Sequence, residues 1–149
     1  GYENFDVFSL NCYSDRPYDM IRQAGELTGK PIMVGEFQFG ALDVGMLCAG
    51  IQSVKTQKDR GLAYRDYYEN AMDSPYFVGA HYFTLNDEST LGRFDGENMQ
   101  IGFVDVCQRP YQDFVELAAE TNRDIYDIAD GQRKNVGGMI QRIPQIMGF

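Results

Sequence analysis

Three apolar runs, each followed by a stretch of helical periodicity, constrain this 149-residue chain more than any other feature. The runs cover residues 5–11, 31–37 and 76–83, where β-branched and aromatic residues are concentrated. Each is nearly continuous rather than alternating, which suits a parallel strand buried on both faces. Helical patterns follow. Residues 17–27 bring Met20, Ile21, Ala24 and Leu27 to one face, with Gly29 as the stop. Residues 58–72 place Leu62, Tyr64, Tyr68 and Ala71 with charges between them and stop before Pro75. Residues 110–128 put Phe114, Leu117, Ala118, Ile125 and Ile128 on one stripe, with Pro110 suited to the first turn. The order β-α-β-α-β-α predicts right-handed crossovers and a parallel sheet.

Loop lengths are unequal. Residues 38–57 and 84–109 are long connections, and both leave the C-terminal end of a predicted strand. The returns from helix to strand, at Thr28-Gly29 and Asp73-Ser74, are tight. A barrel with its active site at the C-terminal strand face has this asymmetry, and so does a doubly wound sheet, so the pattern leaves both open. Residues 131–149 mix basic residues with Ile140, Ile143, Ile146 and Met147 and read as a weakly amphipathic tail that packs on the body.

Composition narrows the function. Apolar residues make up 44% and charged residues 23%, which is globular usage rather than disorder. A net charge of −9 argues against binding nucleic acid or an anionic membrane surface. No apolar run reaches the roughly 18 residues that a membrane span needs. Cys12, Cys48 and Cys107 lack metal-ligand or disulfide spacing, and a single histidine, His81, excludes a multi-histidine metal centre. No signal peptide opens the chain, and its first residues already read as strand, as expected of a piece of something longer.

Glu36 is the residue most in need of an explanation. It ends an apolar strand, between Gly35 and Phe37, where an ionised carboxylate must be hydrogen-bonded or used. Position alone leaves a strand-end salt bridge equally open. The first strand ends in Asn11 and Tyr13; a tyrosine hydroxyl donating to Glu36 would hold it ionised and aim one oxygen, while an aromatic packed under the loops is the other use. His81, Tyr82 and Phe83 end the third strand and offer a sugar-stacking face and a hydrogen-bonding imidazole, although a core imidazole is the commoner use of such a histidine. The loop Gly92-Arg93-Phe94-Asp95-Gly96-Glu97-Asn98 has the wrong charge for a phosphate cradle and the wrong spacing for an EF-hand. It suits the lining of a polar sugar cleft, or a solvated turn.

Taken together these motifs resemble a known family. Val34-Gly35-Glu36-Phe37-Gln38-Phe39-Gly40-Ala41 is similar to the seventh-strand nucleophile motif of clan A glycoside hydrolases, and Gly79-Ala80-His81-Tyr82-Phe83 to their eighth strand, with Tyr82 where tryptophan is common. The loop at residues 92–98, with Ile101-Gly102-Phe103-Val104-Asp105, is similar to the family 50 agarases; the family 42 β-galactosidases are the second choice. The resemblance implies that residues 1–130 are the C-terminal part, about strands 6–8, of a TIM (β/α)₈ barrel, which usually needs about 250 residues. It implies Glu36 as nucleophile of a retaining hydrolase, Tyr13 as its orienting partner, and Asn11, His81, Tyr82, Glu97 and Asn98 as substrate contacts. The general acid/base would follow the fourth strand, outside this chain. No cofactor is implied, the substrate is an oligo- or polysaccharide containing galactose, and an agarase-like protein would be secreted or periplasmic. The alternative is a half-barrel that binds carbohydrate or serves structure without hydrolysing anything. In either case two open strand edges call for the missing half of the barrel, another copy of the chain, or the tail at residues 131–149.

Overall fold

The computed structural model describes residues 1–133 and 138–144. Its elements run β1 (Phe8–Asn11), α1 (Tyr18–Thr28), β2 (Ile32–Phe37), α2 (Gln57–Met72), β3 (Phe77–Tyr82) and α3 (Gln112–Ala129). The three strands form one parallel sheet in the order β1-β2-β3, so neighbours in sequence are neighbours in space.

One core unites the sheet with all three helices: Ile21 of α1, Ile32, Val34 and Phe37 of β2, Tyr64, Tyr67 and Tyr68 of α2, and Phe114 of α3. All three helices therefore lie on one side, as in a barrel wall and unlike a doubly wound sheet. The expectation that the strands are buried on both faces is not met. Val78 is 55% exposed, and Ser9, Asn11 and His81 are exposed as well, because among the described residues nothing covers the second face.

Local chemistry explains where the helices begin and end. Gly29 closes α1 in the left-handed region at φ 65°, donating to the Gly25 carbonyl. Thr56 caps α2 by accepting from the Asp59 amide at 3.1 Å. Pro110 does not occupy the first turn of α3 as its position suggested; it sits before the helix, bridged to Val104. Several of the charges between the apolar positions of α2 are buried too. Gln57, Asp59, Arg60, Arg65 and Glu69 are buried along with the aromatics, because α3, both long loops and residues 138–144 enclose the helix. Arg65 answers Glu69 at 2.8 Å one turn away.

The two long loops are tied to each other through Arg60, whose side chain has no solvent exposure. Its Nε donates to the Phe39 carbonyl at 2.6 Å and its Nη1 to Gln57 Oε1 at 2.6 Å. Its Nη2 donates to the carbonyls of Ile101 at 2.6 Å and Gly102 at 2.8 Å. The guanidinium also lies 4.1 Å from the centre of the Phe114 ring. Asp87 completes the junction by accepting from Gln100 Nε2 and the amides of Ile101 and Gly102 at 2.8–3.0 Å, and from the Tyr111 hydroxyl.

The described part of the tail packs on the body as expected and pairs with neither sheet edge. Within residues 138–144 it bridges antiparallel to the loop after β2, Val54 to Arg142, and Ile140 joins the core. Ile146 and Met147 lie outside the described residues. Among the described residues nothing pairs with the outer edge of β1 or β3.

Two outcomes follow. Replacing Arg60 with Met leaves the buried carbonyls of Ile101 and Gly102 without their donor and that of Phe39 with the Tyr82 hydroxyl alone. At about 1 kcal/mol or more for each orphaned carbonyl, the loss of stability is at least about 2 kcal/mol. It is read as a lower urea midpoint with unchanged slope. Burial raises the pKa of Tyr67 and Tyr68 well above the ordinary 10.0. A pKa raised in the folded state gives stability that is complete below the unfolded value and lost as pH rises past it. Urea midpoints should hold up to about pH 10 and fall above it, and the Tyr67→Phe variant should fall less steeply.

Candidate active site

Glu36 owes its place to an irregularity in the sheet. Ile32, Val34 and Phe37 are all fully buried on the helix side, although strict alternation would turn Phe37 the other way. The extra step falls on Gly35-Glu36: the β1–β2 register shifts between Leu10 and Asn11, and the β2–β3 register between Val34 and Phe37. A bulge re-aims side chains. Here it keeps Phe37 in the aromatic core, stacked on Tyr67 with ring centres 4.2 Å apart, and turns the half-buried Glu36 to the uncovered face.

Tyr13 donates its hydroxyl to Glu36 Oε2 at 2.5 Å. Glu36 Oε1 has no protein partner among the described residues. Burial raises the pKa of the Tyr13 phenol, followed by its hydrogen bond to Glu36 and the charges of Glu36 and Glu97, while Arg93 acts in the opposite sense. The phenol therefore stays protonated and remains a donor at neutral pH. The backbone around it is anchored three times: the Cys12 amide donates to the Glu36 carbonyl at 2.9 Å, the Tyr67 hydroxyl to the Cys12 carbonyl at 2.9 Å, and Gln52 Nε2 to the Tyr13 carbonyl at 2.6 Å.

Asn11 stands opposite Glu36 in the β1–β2 register. Its side chain lies across Gly35, where a Cβ would meet Asn11 Oδ1 and Ser9 Oγ at 2.8 Å, so any larger residue there would displace these two side chains. His81 lies between the Val34–Ala80 and Phe37–Tyr82 pairs, level with Gly35-Glu36. Ala80 and Tyr82 pack toward the core, so His81 faces the uncovered side; it is exposed and is not a core imidazole.

Tyr82 does not join this group. Its ring packs against Phe37, Phe103 and Phe114, and its hydroxyl donates to the Phe39 carbonyl at 2.8 Å. The expected sugar-stacking ring is a core residue, because the bulge in β2 and the matching shift in β3 turn Phe37 and Tyr82 to the same side.

Glu97 is held by Arg93, which also pairs with Glu88 Oε1 at 3.2 Å and Asp95 Oδ2 at 2.7 Å, and lies 5.4 Å from the centre of the Phe83 ring. Asn98 follows on the same loop, half-buried, with no side-chain hydrogen bond among the described residues. Sequence reasoning gave no role to Arg93, Glu88 or Gln52. For Arg93 a signal was present, since one cation stands among acids two and four residues away; the other two are long-range partners. Among the described residues no group of three His, Cys, Asp or Glu side chains could hold a metal ion, and no helix is long and apolar enough to cross a membrane.

The arrangement is a carboxylate with one oxygen fixed by a neutral donor and the other open, on the polar end of a parallel sheet. No protein-family model matches the chain. Beta-agarase B of Vibrio sp. (strain JT0107) is 40% identical over 127 residues, which cover 81% of this chain and 13% of that protein. The structure of an exo-beta-agarase is similar with a TM-score of 0.80 and 41% identity, over 85% of this chain and 17% of that one. That of PfGH50B is similar with a TM-score of 0.79 and 36% identity, over 84% and 18%. By sequence and by structure, this chain is related to the agarases of glycoside hydrolase family 50.

Proposed function

We propose that this chain carries the nucleophile half of a retaining β-glycosidase of the agarase type, acting on a galactose-containing polysaccharide. In this reading residues 1–130 are about the last three β/α units of a (β/α)₈ barrel, and residues 131–149 are its tail. The Tyr13–Glu36 hydrogen bond at the C-terminal end of the sheet carries the proposal. The phenol fixes Glu36 Oε2 and leaves Oε1 to attack the anomeric carbon. A bond forms from Oε1 to that carbon as the glycosidic bond breaks, and the leaving oxygen takes a proton from a general acid. Water, giving a proton back to that general acid, now acting as base, then releases the sugar by attack on the same carbon, and Glu36 departs as carboxylate.

The general acid/base in this reading lies outside these 149 residues, roughly 5–5.5 Å from Glu36 in the assembled site. Asn11, His81, Glu97 and Asn98 are the side chains offered to sugar hydroxyls. Glu97 comes to this group paired with Arg93. The bare outer edges of β1 and β3 are where the rest of the barrel, or another copy of the chain, would pair. The similarity to a beta-agarase supports the substrate class. The second reading, a half-barrel that binds carbohydrate or serves structure without hydrolysis, draws on the chain spanning only 13% of that relative.

Glu36→Gln in the full-length protein decides between them. It keeps the shape and removes the attacking charge, so turnover of agarose oligosaccharides should fall at least about a thousandfold while their binding persists. Near-normal turnover would take Glu36 out of the mechanism and favour the second reading. Tyr13→Phe loses one hydrogen bond to a charged group, and kcat should fall about tenfold to a hundredfold.

A further inference from the structure

Residues 138–144 do more than cover α2. The Ile143 amide donates to the Ser53 carbonyl at 3.1 Å, and the Lys55 amide donates to the Gln141 carbonyl at 2.8 Å, so the segment runs as an antiparallel strap along the loop after β2. Its far end is fixed to the start of α2 by the Gln141 amide, which donates to Asp59 Oδ1 at 3.0 Å. Between these anchors Arg142 Nη1 reaches Asp15 Oδ1 at 2.6 Å, across 127 positions of sequence.

Two of these contacts, to Asp15 and to Ser53, lead to Tyr13. Asp15 lies two residues beyond it on the loop after β1. Ser53 follows Gln52, whose amide holds the Tyr13 carbonyl at 2.6 Å. The strap therefore grips the loop that presents Tyr13 from one side and braces its Gln52 anchor from the other. We infer that Arg142 is a positioning residue for the active site, acting through Asp15 to keep the Tyr13 hydroxyl on Glu36. The Arg142 side chain is 30% exposed and that of Asp15 45%, so the pair by itself adds little to global stability. Its work is geometric: a donor displaced by a fraction of an ångström no longer aims the carboxylate.

The consequence for turnover rests on Glu36 being the nucleophile; the consequence for the Tyr13–Glu36 contact does not. The test therefore has two readouts on the full-length protein carrying Arg142→Ala, Asp15→Asn or Arg142→Lys. The first is the titration of Tyr13, followed by NMR of tyrosine labelled at Cζ and assigned with Tyr13→Phe. Glu36, Glu97 and Arg93 are the charged groups that act on this phenol, and none of them is altered. Arg142→Ala and Asp15→Asn should both move its titration down toward the ordinary value of 10.0, in the same direction as Glu36→Gln, while Arg142→Lys stays near wild type. The second is kinetic. Arg142→Ala should lower kcat about threefold to tenfold with little change in KM, and this loss should vanish in the Tyr13→Phe background, since the two residues act as one unit.

An unchanged Tyr13 titration in both Arg142→Ala and Asp15→Asn overturns the inference, as does a loss of kcat equally large with and without Tyr13. A wild-type protein that hydrolyses no agarose, yet whose Tyr13 titration moves in Arg142→Ala, overturns the proposed function and leaves the strap standing.

Discussion

A guanidinium with no access to water has to find acceptors for its donors within the fold, and the position of Arg60 is decided by that demand. Its partners come from three places: Phe39 on the loop after β2, Ile101 and Gly102 on the loop after β3, and Gln57 on its own helix. Two long loops with few regular contacts of their own are thereby set against α2. A buried charge is costly unless its surroundings answer it. Carbonyl oxygens, the Phe114 face and Asp87, one hydrogen-bonded residue away through Ile101 and Gly102, do so together. The loops that rim the site are thus an extension of the core.

That division of labour runs through the sheet. The helix face of β2 and β3 carries Ile32, Val34, Phe37, Phe77 and Tyr82, packed on the tyrosines of α2. The opposite face carries Asn11, Glu36 and His81 at the C-terminal strand ends. A bulge at Gly35-Glu36 lets adjacent residues serve both faces, so Phe37 anchors the strand through stacking while Glu36 emerges one residue earlier. The stability of Phe37 and the aim of Glu36 are consequently not independent. A substitution that shifts the Phe37 ring moves the backbone on which the carboxylate stands.

The β-α order, the parallel sheet and the position of Glu36 at a strand end were legible in the sequence because they depend on local periodicity. The Tyr13–Glu36 contact was legible for a related reason: both residues lie at C-terminal ends of strands that are neighbours in order. Tyr82 turns to the core because β3 carries an extra residue between Phe77 and Gly79 in its register with β2; strict alternation from the buried Phe77 would have turned it the other way. Continuous apolar runs implied two buried faces, yet Val78 is exposed; the run records what a strand could bury, and only one layer of helices is present to bury it. The burial of the α2 charges has no local signal, because enclosure by α3 and the loops is a tertiary fact. The Arg142–Asp15 pair has no local signature at all.

The anchors of Tyr13 show what this distribution means for the site. Its backbone is held by Glu36 on β2, Gln52 on the loop after β2 and Tyr67 on α2, and its loop by Arg142 near the end of the described chain. Two of these, Tyr67 and Arg142, lie more than fifty positions away in sequence. Contacts of that kind form only after their loops have been closed, at an entropic cost that local helix contacts do not bear. A chain folded only through β2 would contain both Glu36 on its strand and Tyr13 on its loop and still lack the means to hold them together. The geometry of the site is therefore a property of the packed segment as a whole, and the phenol is aimed only once α2 and the strap are both in place.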